Sequence, residues 1–394
     1  MHPILRSILQ LFSRQLKIAP QPVIENQPSS SDPESQDPTC EITLRLGRWQ
    51  ASSSSAPNIG RRQIFRQVLI ALQWLYLSGL VLVWFLLWFT TDRWWFSTMM
   101  SFGPRWIYPL PLAVLVPGCL FFDRRRWPVL LVSNVILWFP VMDFRCPWGR
   151  IILPSGTTYR VLTCNLHDDK CDPVAVRALI RRENPDFIAL QEVSIDSIRS
   201  ALEGYQVVQS GLLLVASRFP LHEEGNTSGL EPLHVKPRIH VLLCTADTPQ
   251  GKLLFGSVHL PSPRYGLSNV LDRKTGIQPS KKILLEEHIR LRREESAAIA
   301  VRVKRFSGPV ILAGDFNTPV ESAIYSANWS SYWNAFSRTG FGFGRTFQAD
   351  VHGIPFGVRI DHILGSPQIV PARCWVGPAI GSEHLPVLAE MIRE

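Results

Sequence analysis

The stretch Ser307-Gly-Pro-Val-Ile-Leu-Ala-Gly-Asp-Phe-Asn-Thr-Pro319 decides how this chain is read. Its centre, Val310 to Ala313, is a short apolar run between Gly308-Pro309 and Gly314, the pattern of a strand covered on both faces. Asp315 and Asn317 follow at a polar tip, two residues apart, where an extended backbone can turn both side chains the same way. A carboxylate that activates water and an amide that holds a reacting oxygen suit that placement, and so does a plain Asp/Asn turn.

Working outward, other strands end in polar residues. Tyr159 to Asn165 is one; Pro185 to Glu192 is a second, after a helical pattern from Asp172 to Glu183 with Pro173 in its first turn. Leu212 to Ser217 and Val241 to Cys244 read as strands, and Leu253 to His259 as another ending in a histidine. A loop from Pro261 to Lys282, with Arg264, Tyr265, Arg273 and Lys274, leads to an amphipathic helix from Ile283 to Phe306. At and near that helix Lys281, Lys282, Arg290, Arg292 and Arg293 alternate with Glu286, Glu287, Glu294 and Glu295, which reads as a solvated face. Ile360 to Leu364 and Pro386 to Met391 complete the set, with Ser382-Glu383-His384 before the last strand.

The strand-end residues are Asn165, Glu192, His259, Asp315, Asn317, Asp361 and His384. One such residue is ordinarily a turn or cap; a set of them converges, because strand ends in a packed sheet share one mouth. Their chemistry fits metal-assisted hydrolysis of a phosphate ester. Glu192 suits a hard cation such as Mg²⁺, with Mn²⁺ as the alternative. Asp315 suits a general base, Asn317 and Asn165 suit positioning of water and phosphoryl oxygens, and His384 and His259 suit stabilisation of the charge that builds there. Asp361 suits a carboxylate behind an imidazole.

Val161-Leu-Thr-Cys-Asn165, Pro185-Asp-Phe-Ile-Ala-Leu-Gln-Glu-Val193, Ser257-Val-His-Leu260, Gly314-Asp-Phe-Asn317, Ile360-Asp-His-Ile363 and Ser382-Glu-His-Leu-Pro386 together resemble the ordered motifs of the endonuclease/exonuclease/phosphatase superfamily. The resemblance covers about residues 157 to 394 and includes Gly340 to Thr346. It implies an α/β fold, a four-layer α/β sandwich of two packed sheets flanked by helices. It further implies that Glu192 binds the metal, Asp315 is the base with Asn317 beside it, Asp361 pairs with His384, and His259 is a second histidine. No carboxylate partner of His259 is identified from sequence. Where the family pattern has Ser-Asp-His, this chain has Ser382-Glu383-His384; the longer Glu383 is expected as a second metal ligand.

The N-terminal part is different in kind. Residues 1–60 read as a disordered cytoplasmic tail rich in Ser, Pro, Gln and Asp, after a short basic amphipathic start that suits a membrane surface or a frayed helix. Residues 61–150 read as a transmembrane region of about three helices: Val68 to Thr91, Trp106 to Phe122 and Trp127 to about Phe144, the last two short enough to form a re-entrant hairpin instead. Arg61, Arg62 and Arg66 before the first span and Arg124 to Arg126 between the other two place the tail inside and residues 151–394, the catalytic domain, outside the cytoplasm.

The net charge of +9 permits attraction to phosphates, but several arginines serve topology instead. Seven scattered cysteines define no disulfide framework; Cys164, His167 and Cys171 are close enough for part of a zinc site or a local disulfide. No Walker-type loop or Gly-x-Ser-x-Gly elbow is present. The expected function is a membrane-anchored Mg²⁺-dependent phosphoesterase whose substrate is a phosphodiester or phosphomonoester of nucleic acid or phospholipid type, bound to the bilayer by its N-terminal helices and with no protein partner inferred. The alternative is a catalytically impaired binding or sensory module that keeps the fold.

Overall fold

A computed structural model describes residues 60–147, 155–167, 170–228, 239–263, 267, 279–351 and 353–394. The expected tail over residues 1–60 lies outside them apart from Gly60, as do Arg264, Tyr265, Arg273 and Lys274.

The strand Val310–Asp315 shows how sequence becomes layers. All six of its residues are buried, and they alternate. Ile311 and Ala313 point into a core between two sheets, while Val310 and Leu312 point to a second core beneath a helix. The strand Phe187–Gln191 does the same: Phe187 and Ala189 enter the central core, and Ile188 and Leu190 enter a third. A strand apolar at every position therefore serves two interfaces, and each large side chain removed from water contributes roughly 1.5–3 kcal/mol.

In chain order the strands are β1 Thr157–Asn165, β2 Phe187–Gln191, β3 Gln206–Ser210, β4 Leu213–Ser217, β5 Leu221–Ser228, β6 Ile239–Thr248 and β7 Gly251–His259. They continue with β8 Val310–Asp315, β9 Trp333–Asn334, β10 Phe347–Val351, β11 Ile354–Val358, β12 Asp361–Gly365, β13 Ile369–Val376 and β14 Val387–Arg393. One sheet has the order β13-β14-β1-β2-β4-β3 and the other β5-β6-β7-β8-β12-β9, with β10-β11 a separate hairpin. The sheets pack face to face over the central core. Helices cover their outer faces, so the architecture is the expected four-layer α/β sandwich.

Helices α1 Arg61–Phe85, α2 Trp95–Ser101, α3 Leu112–Phe122 and α4 Trp127–Ile136 precede the sandwich. Helix α5, Pro173–Glu183, starts at Asp172, whose carboxylate accepts the Val174 N–H at 2.9 Å. Helix α6, Pro279–Val303, covers the second sheet.

Among the described residues, two helical stretches are long and apolar enough to cross a membrane, Arg62–Thr90 and Arg105–Phe122. The third expected span is shorter than read from sequence: α4 and the π-helical turn after it end at Val141. At 1.5 Å per residue that stretch reaches roughly 22 Å, less than a ~30 Å hydrocarbon core.

Candidate active site

Register brings the strand ends together. Strand β7 runs parallel to β8 with His259 opposite Asp315, and β12 runs antiparallel to β8 with Asp361 opposite Asp315. Three chemically active residues thus form one row across three strands. On the facing sheet β1 and β2 are parallel, and Asn165 is opposite Gln191, one residue before Glu192.

The close approach of β8 to β7 has one strict requirement. Gly314 has φ +151°, and a Cβ there would stand 1.9 Å from the Val258 carbonyl oxygen. Only glycine lets Asp315 sit beside His259. Glu192 and Asn317 both hold left-handed backbone, with φ of 49° and 48°. Asn tolerates that region, whereas for Glu it costs on the order of 1 kcal/mol, and such strain collects at functional sites.

Asp315 lies at the centre, 2% exposed. Its Oδ1 accepts the Asn317 backbone N–H at 2.9 Å; its Oδ2 accepts from Asn317 Nδ2 at 3.0 Å and from Asn165 Nδ2 at 3.2 Å. His259 Nε2 and His384 Nε2 each stand 3.8 Å from that Oδ2. Burial, then the nearby Asp361 carboxylate, push Asp315 up to about 7 against the opposing pull of His384 and the two asparagines. A carboxyl that titrates near neutrality is matched to taking a proton from water.

His384 Nδ1 lies 3.1 and 3.0 Å from the two oxygens of Asp361. An N–H there donates to the carboxylate and leaves Nε2 facing Asp315. Burial lowers the imidazole pKa, but Asp361 and then Asp315 outweigh it and raise it to about 9, so the ring is a cation at neutral pH. His362, in the same motif, is different. Burial and then Arg359 lower it to about 4; its Nε2 reaches the Thr318 carbonyl at 2.9 Å and its Nδ1 faces Asn334 Nδ2 at 3.2 Å. It is a neutral support for the segment after Asn317.

Glu192 is partly open; among the described residues it accepts a long hydrogen bond from Asn165 Nδ2 at 3.4 Å and stands 3.4 Å from His259 Nε2 and 3.9 Å from His167 Nδ1. The structure therefore puts Glu192, with Asp315, beside His259, whose acidic neighbours could not be read from sequence. A half-open carboxylate held only by long contacts fits a hard divalent cation. Burial holds the Cys164 thiol well above the usual range. Asp315, Asp361 and His384 also have donor atoms within 4.8 Å of one another, but the hydrogen bond between Asp361 and His384 marks those two as a carboxylate–imidazole pair.

The structure adds to several sequence expectations and changes others. Asn317 donates from Nδ2 to Asp315 and to the Leu260 carbonyl, at 2.8 Å, so its amide N–H groups hold the Asp315 carboxylate in place. The Glu383 carboxylate forms an ion pair with Lys170 at 3.8 Å. Cys164 and Cys171 are buried thiols that are not joined in a local disulfide. Arg292 and Glu295, read as part of a solvated face, are 2% and 3% exposed. Sequence reading also passed over Ser382, which donates to the Asn165 carbonyl at 2.7 Å, and Thr346, which accepts from the Asp361 N–H at 3.1 Å. A Thr closing a Gly-rich stretch was the one available signal for the latter.

Buried paired acids and imidazoles at the shared mouth of two sheets define a class, the hydrolases of phosphate esters. The model of the Endonuclease/Exonuclease/phosphatase family matches residues 158–384, and the chain belongs to that family. Similar solved structures include an endonuclease/exonuclease/phosphatase from Bacteroides vulgatus, 18% identical over 60% of this chain and 100% of that one, TM-score 0.45. A humanized TDP2 from D. rerio is 14% identical over 59% and 98%, TM-score 0.43. A mannosyl-6-phosphatase from Bacteroides thetaiotaomicron is 17% identical over 59% and 99%, TM-score 0.43. No curated protein matches the sequence.

The strained Glu192 gives a separable prediction. Glu192→Asn relaxes the left-handed backbone and removes the carboxylate, so the thermal midpoint holds or rises while metal-dependent turnover is lost. Thermal unfolding and metal titration of the same preparation check it.

Proposed function

We propose that the chain is a membrane-anchored, Mg²⁺-dependent phosphoesterase acting outside the cytoplasm. The observation that carries the reading is the meeting of Asn165, Glu192, His259, Asp315, Asp361 and His384 from two sheets in one site. Glu192 holds the cation, with Mn²⁺ as the alternative; bound there, the cation neutralises charge on the phosphoryl oxygens. Asp315 takes the proton of the attacking water, its carboxylate fixed by Asn317 and Asn165. The His384 imidazolium, held by Asp361, presents Nε2–H to the oxygens where charge builds, and His259 presents a second Nε2 on the other side of Asp315. Glu383, which pairs with Lys170, is the candidate second ligand.

The bilayer assignment rests on α1, α3 and α4, which expose large apolar side chains such as Leu75, Val114, Phe121 and Leu131. Orientation rests on charge: Arg66 reaches Asp123 at 3.2 Å, so the arginines at the start of α1 and those at 124–126 share one end. The catalytic domain begins from the opposite end. Phospholipid-type esters suit this geometry better than nucleic acid, since the loop holding Asn317 lies against the helical segment.

The test is a substrate panel with the full chain in detergent: bis-p-nitrophenyl phosphate, p-nitrophenyl phosphate, plasmid DNA and sphingomyelin, with Mg²⁺ or Mn²⁺. Turnover of a lipid or small ester well above that of DNA supports the reading. Cleavage of DNA alone would replace it with a nuclease.

A further inference from the structure

Arg292 is a fully desolvated guanidinium close to the catalytic loops. Its Nε donates to the Pro261 carbonyl at 3.1 Å, two residues beyond His259, and its Nη2 donates to the Asn317 carbonyl at 2.6 Å. One side chain thus ties the loop after β7 to the loop after β8, the two segments that carry His259 and the support for Asp315. Its charge is balanced from elsewhere in the chain: Nη1 reaches Asp92 Oδ1 at 3.0 Å. Asp92 follows the first long helix and is itself 0% exposed. It holds a left-handed φ of 58°, accepts from Ser322 and, through its carbonyl, from Arg293, and its N–H donates to the Thr98 hydroxyl oxygen at 2.9 Å.

Two more buried pairs cross the same boundary, Arg105 with Glu321 and Asp143 with Arg359. Their catalytic-domain members lie four residues after Asn317 and two before Asp361. The signs alternate, so a general attraction between a basic and an acidic surface does not explain them. Each charge alone would be costly to bury, so the pairs admit one docking pose. Apolar packing reinforces it: Leu285 and Ile289 of α6 meet Trp95, Met99 and Phe102, and Phe144 meets Phe341 and Phe343.

We propose that Asp92 and Arg292 are positioning residues for the active site, so that the helical segment is part of the catalytic framework as well as an anchor. This rests on the phosphoesterase reading above. Asp92 orients Arg292, and Arg292 fixes the backbone on which Asn317 holds the base. A corollary is that the catalytic domain cut free near residue 150 leaves Arg292, Glu321 and Arg359 without their partners.

The test uses the full chain and Asp92→Asn, which keeps the shape and an acceptor for Ser322 but removes the charge. Hydrogen exchange by mass spectrometry is expected to quicken in residues 259–263 and 315–322. Turnover is expected to fall on the order of 10²-fold with KM within about two-fold, the effect of a misplaced group that meets no substrate. On an Asn317→Ala background Asp92→Asn adds no further loss, because both act through the same loop. Arg292→Lys, which keeps the charge but cannot bridge two carbonyls, gives the same pattern at smaller size and replaces Asp92→Asn if that variant fails to fold. Arg66→Gln, which breaks the remote pair with Asp123, leaves exchange in both loops and turnover unchanged. Unchanged exchange in the two loops, or losses from Asp92→Asn and Asn317→Ala that multiply in full, would overturn the proposal. A wild-type chain without turnover on any ester would sink the functional reading alone, and the exchange measurement would still decide this one.

Discussion

Asp315→Asn is expected to lower kcat by about 10³-fold or more, within the range that general bases contribute, with the fold intact. The reason lies in the environment of the carboxylate. Asp315 is buried beside Asp361, and its pKa is raised to about 7. The sign of its stability contribution follows: an acid with a raised native pKa disfavours the native state once the unfolded chain ionises. Native stability from this group therefore falls as pH rises from the ordinary carboxylate range to about 7. Removing the charge relieves that cost, so circular dichroism and thermal unfolding separate a lost base from a lost fold. A variant that is folded and retains more than about a tenth of kcat would remove Asp315 from the role of base.

The pH profile carries the second large effect. With Asp315 ionised and His384 protonated in the active form, kcat/KM is expected to be bell-shaped, with limbs near 7 and 9 that belong to the coupled group as a whole. Asp361→Asn removes the charge that outweighs burial at His384. The alkaline limb then moves down to or below the ordinary histidine value of about 6.5, the bell collapses, and the rate at pH 8 falls by roughly 30-fold or more. Stability follows the opposite sign from Asp315. The raised imidazole pKa stabilises the native state fully below about 6.5, and that contribution is lost as pH rises through about 9. An alkaline limb that stays near 9 in Asp361→Asn would show that His384 does not set it.

The parts legible in the sequence share one property: they are buried on both faces. Strands β2, β7 and β8 read as apolar runs with polar ends because each packs against the central core on one side and helices on the other. Strand β3, Gln206–Ser210, lies at a sheet edge with no fully buried residue, and β5 contains His222, Glu223, Glu224 and Gly225. Neither carries a period that survives in sequence, and both went unread, as did the β10–β11 hairpin. The site followed the same division. Its strand-end members were legible by position, while Arg292 was hidden in a helix of alternating charge whose Arg290, Glu287 and Glu294 do pair at the surface. What distinguishes Arg292 is Asp92, 200 residues earlier, and no local pattern reports a partner at that distance.

The order of the helical segment was likewise easier to read than its length. The arginine clusters marked the ends, but the helix from Trp127 closes in a π turn at Pro140 before reaching Phe144. A proline near the end of an apolar run is weak as a boundary in membrane sequences, where it is tolerated inside helices.

The central claim is metal-assisted phosphate-ester hydrolysis at the Glu192, Asp315 and His384 site. Its most direct test is p-nitrophenol release from bis-p-nitrophenyl phosphate by the full-length protein in detergent, first stripped with chelator and then titrated with Mg²⁺, with Asp315→Asn run beside it. The expected result is turnover that appears with the metal, saturates, and is absent from the variant. Release that is indifferent to chelation, or equal in Asp315→Asn, would contradict it.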